Sequence, residues 1–194
     1  MRIGVLALQG AFIEHEKMLQ ELGVETQQVR LSQHLTGLDG LIIPGGESTT
    51  MAKLALEFGL FSDLQTFAVE HPVWGTCAGA ILLAKDDQNN PPRIGVMDIH
   101  IQRNAFGRQV DSFQADVRIP ALDHLNGSLP TFPAVFIRAP IIESVGPEVE
   151  VLAQLGLEKI VAARQGHLLA TVFHPELSSD NRFHRYFLEM ISSK

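Results

Sequence analysis

The chain of 194 residues contains a single cysteine, Cys77. One thiol cannot close a disulfide within the chain, so no covalent cross-link holds the fold. Positive charge is also scarce: 15 Lys and Arg stand against 22 Asp and Glu, a net charge of −7. A nucleic-acid binder needs a broad cationic surface to displace counterions, so nucleic acid is not an expected partner. No apolar run approaches the ~20 residues that cross a bilayer. The N-terminal MRIGVLALQGAF has only a short apolar stretch, broken at Gln9, with no signal-peptide cleavage pattern. These absences predict a cytoplasmic protein without a membrane segment. Nor is there an internal repeat, a low-complexity tract or a linker, so residues 1–194 are read as one domain. What is present is a chain with 45% hydrophobic residues, enough for a sizeable core without metal or disulfide support.

The run IGVLAL (3–8) is continuously apolar, as expected of a strand buried on both faces of a parallel sheet. From Ala11 to Leu22, the positions Ala11, Met18, Leu19 and Leu22 fall at helical spacing, and Gly23 supplies a left-handed stop. A strand over 25–29 completes a βαβ unit. GLIIPGGEST (40–49) repeats the pattern, with a helix running to Phe58 and ending at Gly59. A helix over Ser62–Glu70, the strand VWGT and the helix AGAILLA follow, which predicts a doubly wound, mostly parallel α/β sheet. In the second half alternation takes over. Phe113, Ala115, Val117 and Ile119 share one face, and KIVAAR and HLLATVF read as strands joined at Gln165-Gly166, all expected as antiparallel edge strands. Segment 120–133 reads as a surface loop. Phe183, Tyr186, Phe187, Met190 and Ile191 mark an amphipathic helix docking on the sheet.

The lone cysteine sits in GTCAG (75–79), where a strand gives way to a helix. This is the spacing of a nucleophile elbow with sulfur in place of oxygen, which exposes the side chain at the carboxyl end of the sheet. A small buried structural cysteine fits the same five residues equally well. A free thiol, with pKa ~8.5, is only a few per cent ionised at neutral pH. A helix N-terminus supplies only ~0.3–1 kcal/mol toward ionising it, less than the ~1.4 kcal/mol of one pKa unit, so a nucleophile here needs a base.

Eight histidines are candidates. His174 stands apart in LLATVFHPEL: Pro175 forces it into extended backbone, so Glu176 can lie on the same side, fixing the tautomer of the imidazole. A polar strand end, with His174 capping backbone groups, accounts for the same spacing. The others (His15, His34, His71, His100, His124, His167, His184) fall on helix faces or turns with no acid in a comparable setting, and none pair at metal-ligand spacing. PGGEST offers a Gly-Gly turn whose Gly46 N–H, with that of Ala78, can stabilise an oxyanion. It lacks the spacing of a phosphate loop, and a plain strand-to-helix turn with Ser48 or Thr49 capping the helix is the simpler alternative.

Taken together, GTCAG, PGGEST and HPEL resemble the flavodoxin-like class I glutamine amidotransferases. LALQGA (6–11), PGGESTT (44–50), GTCAGAILLAK (75–85), QRNAFGRQVDSF (102–113), FIRAP (136–140), AARQG (162–166) and FHPEL (173–177) are similar, more narrowly, to the glutaminase subunits of pyridoxal 5′-phosphate synthases. The resemblance implies Cys77 as nucleophile, His174 as general base and later acid, and Glu176 as its orienter. It implies a glutamine pocket of Gly46, Glu47, Ser48, Arg103, Ile137 and Arg138, without which Arg103, Arg108 and Arg138 would read as surface solvation. It also implies no cofactor or metal, L-glutamine as substrate, and a (β/α)8-barrel synthase partner in a large hetero-oligomer. Two rival readings share the elbow: a free-standing hydrolase such as a γ-glutamyl hydrolase, and a cysteine-based stress sensor or chaperone. The latter commonly carries histidine directly after the cysteine, where this chain has Ala78.

Overall fold

The computed structural model describes residues 1–85, 92–103, 112–125 and 130–193. The first half contains β1 (Arg2–Leu6), α1 (Phe12–Glu21), β2 (Glu25–Val29), β3 (Gly40–Ile43), α2 (Ser48–Glu57), α3 (Phe61–Glu70), β4 (Val73–Thr76) and α4 (Ala78–Leu83). The second contains β5 (Ile99–Gln102), β6 (Ser112–Val117), β7 (Phe132–Ile137), β8 (Ile141–Val145), β9 (Glu150–Leu155), β10 (Lys159–Gln165), β11 (Leu168–Thr171) and α5 (Arg182–Ser192).

The apolar runs form the centre of the sheet. β3, β4 and β11 are buried at every residue, and β1 at all but Arg2. They run parallel in the order β1-β3-β4-β11, with β2 added parallel outside β1. As an edge strand β2 is less covered, which is why ETQQV suffices there and only Val29 is fully buried. Beyond β11 the sheet continues antiparallel through β10, β8 and β5, with β9 also paired to β10.

Three expectations are corrected. The strand from residue 112 does not extend the main sheet; β6 pairs with β7 as a separate two-stranded sheet. Its alternation is as read, since Phe113 stacks on Phe136 at 4.7 Å and Val117 is buried. A period of two specifies which face is covered but not which strand lies alongside. Likewise β11 is not at an edge, because the β10–β11 hairpin lodges it against β4 in mid-sheet. The segment read as a loop over 120–133 begins with a 3-10 turn, Pro120–Leu125, that buries Leu122 and Leu125, and it ends inside β7. Residues 126–129 lie outside the described residues.

After β2 the chain returns past β1 to form β3, so the direction of winding reverses between β1 and β3. With right-handed crossovers, helices before and after that reversal cover opposite faces. α1 and α5 share one face, where His15 meets His184 and the fully buried Trp74 packs on Phe183 and Phe187. α2 packs on α3 and α4. α5 buries Phe183, Tyr186, Phe187 and Met190, as its periodicity requires. Among the described residues no helix is long and apolar enough to cross a membrane. A reversal of winding leaves a crevice beyond the carboxyl ends of the strands, and Gln9, Gly46 and Cys77 gather around a cavity there.

Candidate active site

β4 ends at Thr76 and α4 begins at Ala78, so Cys77 alone makes the corner, at φ 46° and ψ −102°. Such a conformation in a residue with a Cβ stores on the order of 1–3 kcal/mol of strain. The corner is pinned by the Cys77 N–H, which donates to the Thr171 carbonyl at 2.8 Å. The flanking glycines are dictated by close approach. A Cβ on Gly79 would lie 1.9 Å from the Ile43 carbonyl oxygen, and one on Gly75 would lie 2.5 Å from the Gly79 carbonyl.

His174 follows β11, its N–H donating to the Val135 carbonyl of β7 at 2.8 Å. Pro175 opens a 3-10 turn that folds Glu176 back onto the ring, and His174 Nδ1–H donates to Glu176 Oε1 at 2.7 Å. The imidazole lies so close to Gly45 that a Cβ there would sit 2.3 Å from His174 Cε1. With Nδ1 engaged, Nε2 is left for Cys77. The Ile137 carbonyl, 4.0 Å from Cys77 Sγ, is too distant to hold the thiol. Burial pushes the imidazole pKa down, but hydrogen bonds with Cys77 and Glu176, and the negative charge of both, outweigh it and raise the pKa to about 10. His174 is therefore an imidazolium at neutral pH. Its contribution to stability is complete below the ordinary value of 6.5 and is lost as pH rises through about 10.

In front of Cys77 opens a cavity of about 380 Å³, within the range of small-molecule sites. Gly46, Glu47, Ser48, Ala78, Arg103, Ile137 and Arg138 all line it, with Gln9, Ile81 and Pro140 in addition, which sequence reasoning did not single out. His174 and Glu176 are buried rather than part of this wall. The cap of α2 also differs from expectation. The Glu47 carboxylate, not Ser48 or Thr49, accepts from the backbone N–H groups of Thr49 at 3.0 Å and Thr50 at 2.7 Å, and from the Thr50 hydroxyl at 2.7 Å. The Thr50 hydroxyl bond, aided by those backbone donors, outweighs the cost of burial and lowers the Glu47 pKa to about 2. The Ser48 hydroxyl is thereby left to accept from Arg103 Nη2 at 2.6 Å. Gln9 Oε1 accepts from Glu47 N–H at 2.7 Å, and the Gly45 carbonyl from Ala11 N–H at 3.0 Å, tying the end of β1 to the glycine turn.

Replacing Glu47 with alanine is expected to cost about 1 kcal/mol of stability, or ~2–4 °C of melting temperature in a chain this size. The depressed pKa means this contribution is present above the ordinary value of 4.5 and fades as pH falls toward about 2. Calorimetry at pH 7 and pH 3 checks both; an unchanged melting temperature at pH 7 refutes the cap.

The reading of the remaining histidines is corrected as well. His15 and His184 are fully buried, and His15 Nε2 lies 3.4 Å from Glu176 Oε2. His124 Nε2 is 2.7 Å from Glu189 Oε2 at the surface. The available signal was register: His15 shares its helix face with Met18 and Leu19, and His184 lies beside Phe183 and Phe187. Among the described residues no cluster of three or more His, Cys, Asp or Glu could hold a metal ion. Most of the QRNAFGRQVDSF block, including Arg108, lies outside the described residues.

Fold and crevice together define a glutamine amidotransferase scaffold. A solved structure described as a glutamine amidotransferase aligns with a TM-score of 0.87 at 49% identity, over 98% of this chain and 98% of that one. Residues 5–193 match the SNO glutamine amidotransferase family, and the chain belongs to it. A curated relative, the pyridoxal 5′-phosphate synthase subunit PdxT of Herpetosiphon aurantiacus, is 58% identical over 193 residues, covering 97% of this chain and 99% of the relative. The subunit of the same name from Pelotomaculum thermopropionicum is 58% identical over 191 residues, covering 97% and 94%.

Proposed function

We propose that this chain is a glutaminase that hydrolyses L-glutamine to L-glutamate and ammonia and delivers the ammonia within a pyridoxal 5′-phosphate synthase. The observation that carries this reading is Cys77 at the wall of the cavity, backed by a buried His174 that hydrogen-bonds to it and is held from behind by Glu176. Facing the imidazolium, the sulfur attacks as a thiolate, and its bond to the side-chain carbonyl carbon of glutamine forms as the carbonyl pair moves onto oxygen. The N–H groups of Gly46 and Ala78 receive that oxyanion. As it collapses, the C–N bond breaks and His174 gives its Nε2 proton to the departing nitrogen, releasing ammonia and leaving a thioester. The now neutral His174 takes a proton from water as the water adds to the thioester. As that second intermediate collapses the C–S bond breaks and its electron pair returns to sulfur, restoring the Cys77 thiolate and the His174 imidazolium, and the acid leaves as glutamate, its proton passing to solvent. Glu176 holds the imidazole through Nδ1 throughout. Arg103 and Arg138 supply cations for the glutamine carboxylate, with Glu47, Ser48 and Ile137 forming the rest of the pocket.

Relatives at 58% identity are named as subunits of pyridoxal 5′-phosphate synthase, which supports a second subunit as the acceptor of ammonia, the (β/α)8 barrel of the family resemblance. The test is ammonia release from glutamine by the full chain, alone and with that synthase subunit, together with size exclusion of the mixture. Co-elution and strong activation are expected. Full activity without association would favour the free-standing hydrolase, and no ammonia in either state would refute the glutaminase reading.

A further inference from the structure

Behind the proposed triad lies a buried polar chain that the mechanism above does not use. Glu176 gives one carboxylate oxygen, Oε1, to His174, while Oε2 is buried with no aligned hydrogen-bond donor. His15 Nε2, from α1, faces that oxygen at 3.4 Å and also lies 3.3 Å from Thr76 Oγ1. On the other side of the ring, His15 Nδ1 is 2.9 Å from Nε2 of His184, from α5. Both histidines are neutral: burial lowers the pKa of His184 to about 3, and burial, with the cost of a second positive charge beside His184 or His174, lowers that of His15 well below its ordinary value.

A neutral imidazole carries one proton, so the contact between the two rings has one donor and one acceptor. If His15 donated from Nδ1, its Nε2 lone pair would face the Glu176 carboxylate, and the proton of His184 would fall on Nδ1, which is buried with no partner. The reverse arrangement avoids both penalties. His184 donates from Nε2 to His15 Nδ1, and His15 donates from Nε2 toward Glu176 Oε2 and Thr76. Only the Nδ1 lone pair of His184 is then left unmatched. A buried donor or a repelled lone pair beside a carboxylate is the costlier defect.

We propose that His15 is a positioning residue, its Nε2–H bonded to Thr76 and facing the second carboxylate oxygen of Glu176 closely enough to hold it electrostatically, with His184 fixing its tautomer. The inference rests on the reading of Cys77, His174 and Glu176 as the reacting group and its supports. As His174 alternates between imidazolium and imidazole during turnover, a carboxylate held at both oxygens keeps its alignment, whereas one held at Oε1 alone can rotate. α1 is thereby connected to the reacting centre, because the helix that carries His15 begins beside the Ala11–Gly45 hydrogen bond.

The two ring nitrogens can be mimicked separately. His15→Gln keeps an N–H near the Nε2 position; His15→Asn keeps a polar group near Nδ1 only. Glutaminase kinetics are measured on the full chain with its synthase partner, beside Cys77→Ala as control. His15→Gln is expected to hold kcat within about threefold, while His15→Asn loses about 10- to 100-fold with KM within about twofold. A purely structural role would lower the melting temperature of both variants and leave the folded enzyme at wild-type kcat, which overturns the inference. If position 15 tolerates neither change, His184→Phe decides: kcat down about 5- to 10-fold at unchanged KM supports the tautomer lock, and unchanged kcat overturns it. Should wild type and Cys77→Ala release ammonia equally, the triad reading fails and this one falls with it. Wild-type turnover that is lost in Cys77→Ala but kept in His15→Asn removes the inference alone.

Discussion

Cys77→Ala is expected to abolish ammonia release from glutamine, by at least about 10⁴-fold, while the protein remains folded. Two features of the corner make this a clean experiment. Alanine retains a Cβ, so the strain at φ 46° persists and the elbow geometry is neither relaxed nor worsened. Cys77 is buried but stands outside the main hydrophobic cluster, so the melting temperature is expected to move by only ~1–3 °C. The substitution does remove one of the partners that hold the His174 pKa at about 10. A histidine NMR titration of the variant should accordingly place that midpoint lower. Ammonia release at the wild-type rate by a folded Cys77→Ala protein would eliminate the thioester route.

The second large effect is on acid stability. His184, with a folded-state pKa of about 3 against an ordinary 6.5, is neutral in the fold and takes a proton on unfolding. Its contribution to stability is present above 6.5 and is lost as pH falls toward about 3, at about 1.4 kcal/mol per pH unit. Between pH 8 and pH 5 that amounts to ~2 kcal/mol, and His15 acts in the same direction. His174 acts oppositely, since its raised pKa makes its contribution complete below 6.5. The informative quantity is thus the difference between wild type and His184→Phe, in which the surface carboxylates and His174 are common to both. The variant is expected to lose ~2 kcal/mol less than wild type over that interval, equivalent to ~4–8 °C in relative melting temperature. Parallel stability curves at pH 8, 6.5 and 5 would show that His184 is not the buried neutral group described.

Much of the fold was legible because burial on both faces leaves a plain mark. IGVL, GLII and VWG are continuous apolar runs, and each lies in a central parallel strand. The stripe from Phe183 to Met190 is likewise the buried face of α5. Strand neighbours were not legible: SFQADV alternates as a strand with one covered face must, but alternation carries no information about pairing, and its partner proved to be FPAVFI in a separate sheet. β11 presents the same limit, since a hairpin loop at Gln165-Gly166 places it beside β10 while only the stacking of the whole sheet decides that β4 lies on its other side.

At the site, the residue types and their local spacing determined the chemistry on offer. A lone thiol between two glycines, an imidazole before proline with a carboxylate two residues on, and a Gly-Gly turn are each set within a few positions of chain. Tertiary structure alone decided whether these segments meet, and it decided two things that no local pattern contains. Glu47 rather than Ser48 caps α2, because the distance from one carboxylate to two backbone N–H groups is a matter of turn geometry, and the freed serine hydroxyl goes to Arg103. His15 and His184, 169 positions apart, stand back to back behind Glu176. Neighbourhood in the chain fixes which side chains share a turn or a strand face; the protonation state of a buried imidazole depends on charges and dielectric contributed by segments far away in sequence, and those come together only in the packed fold.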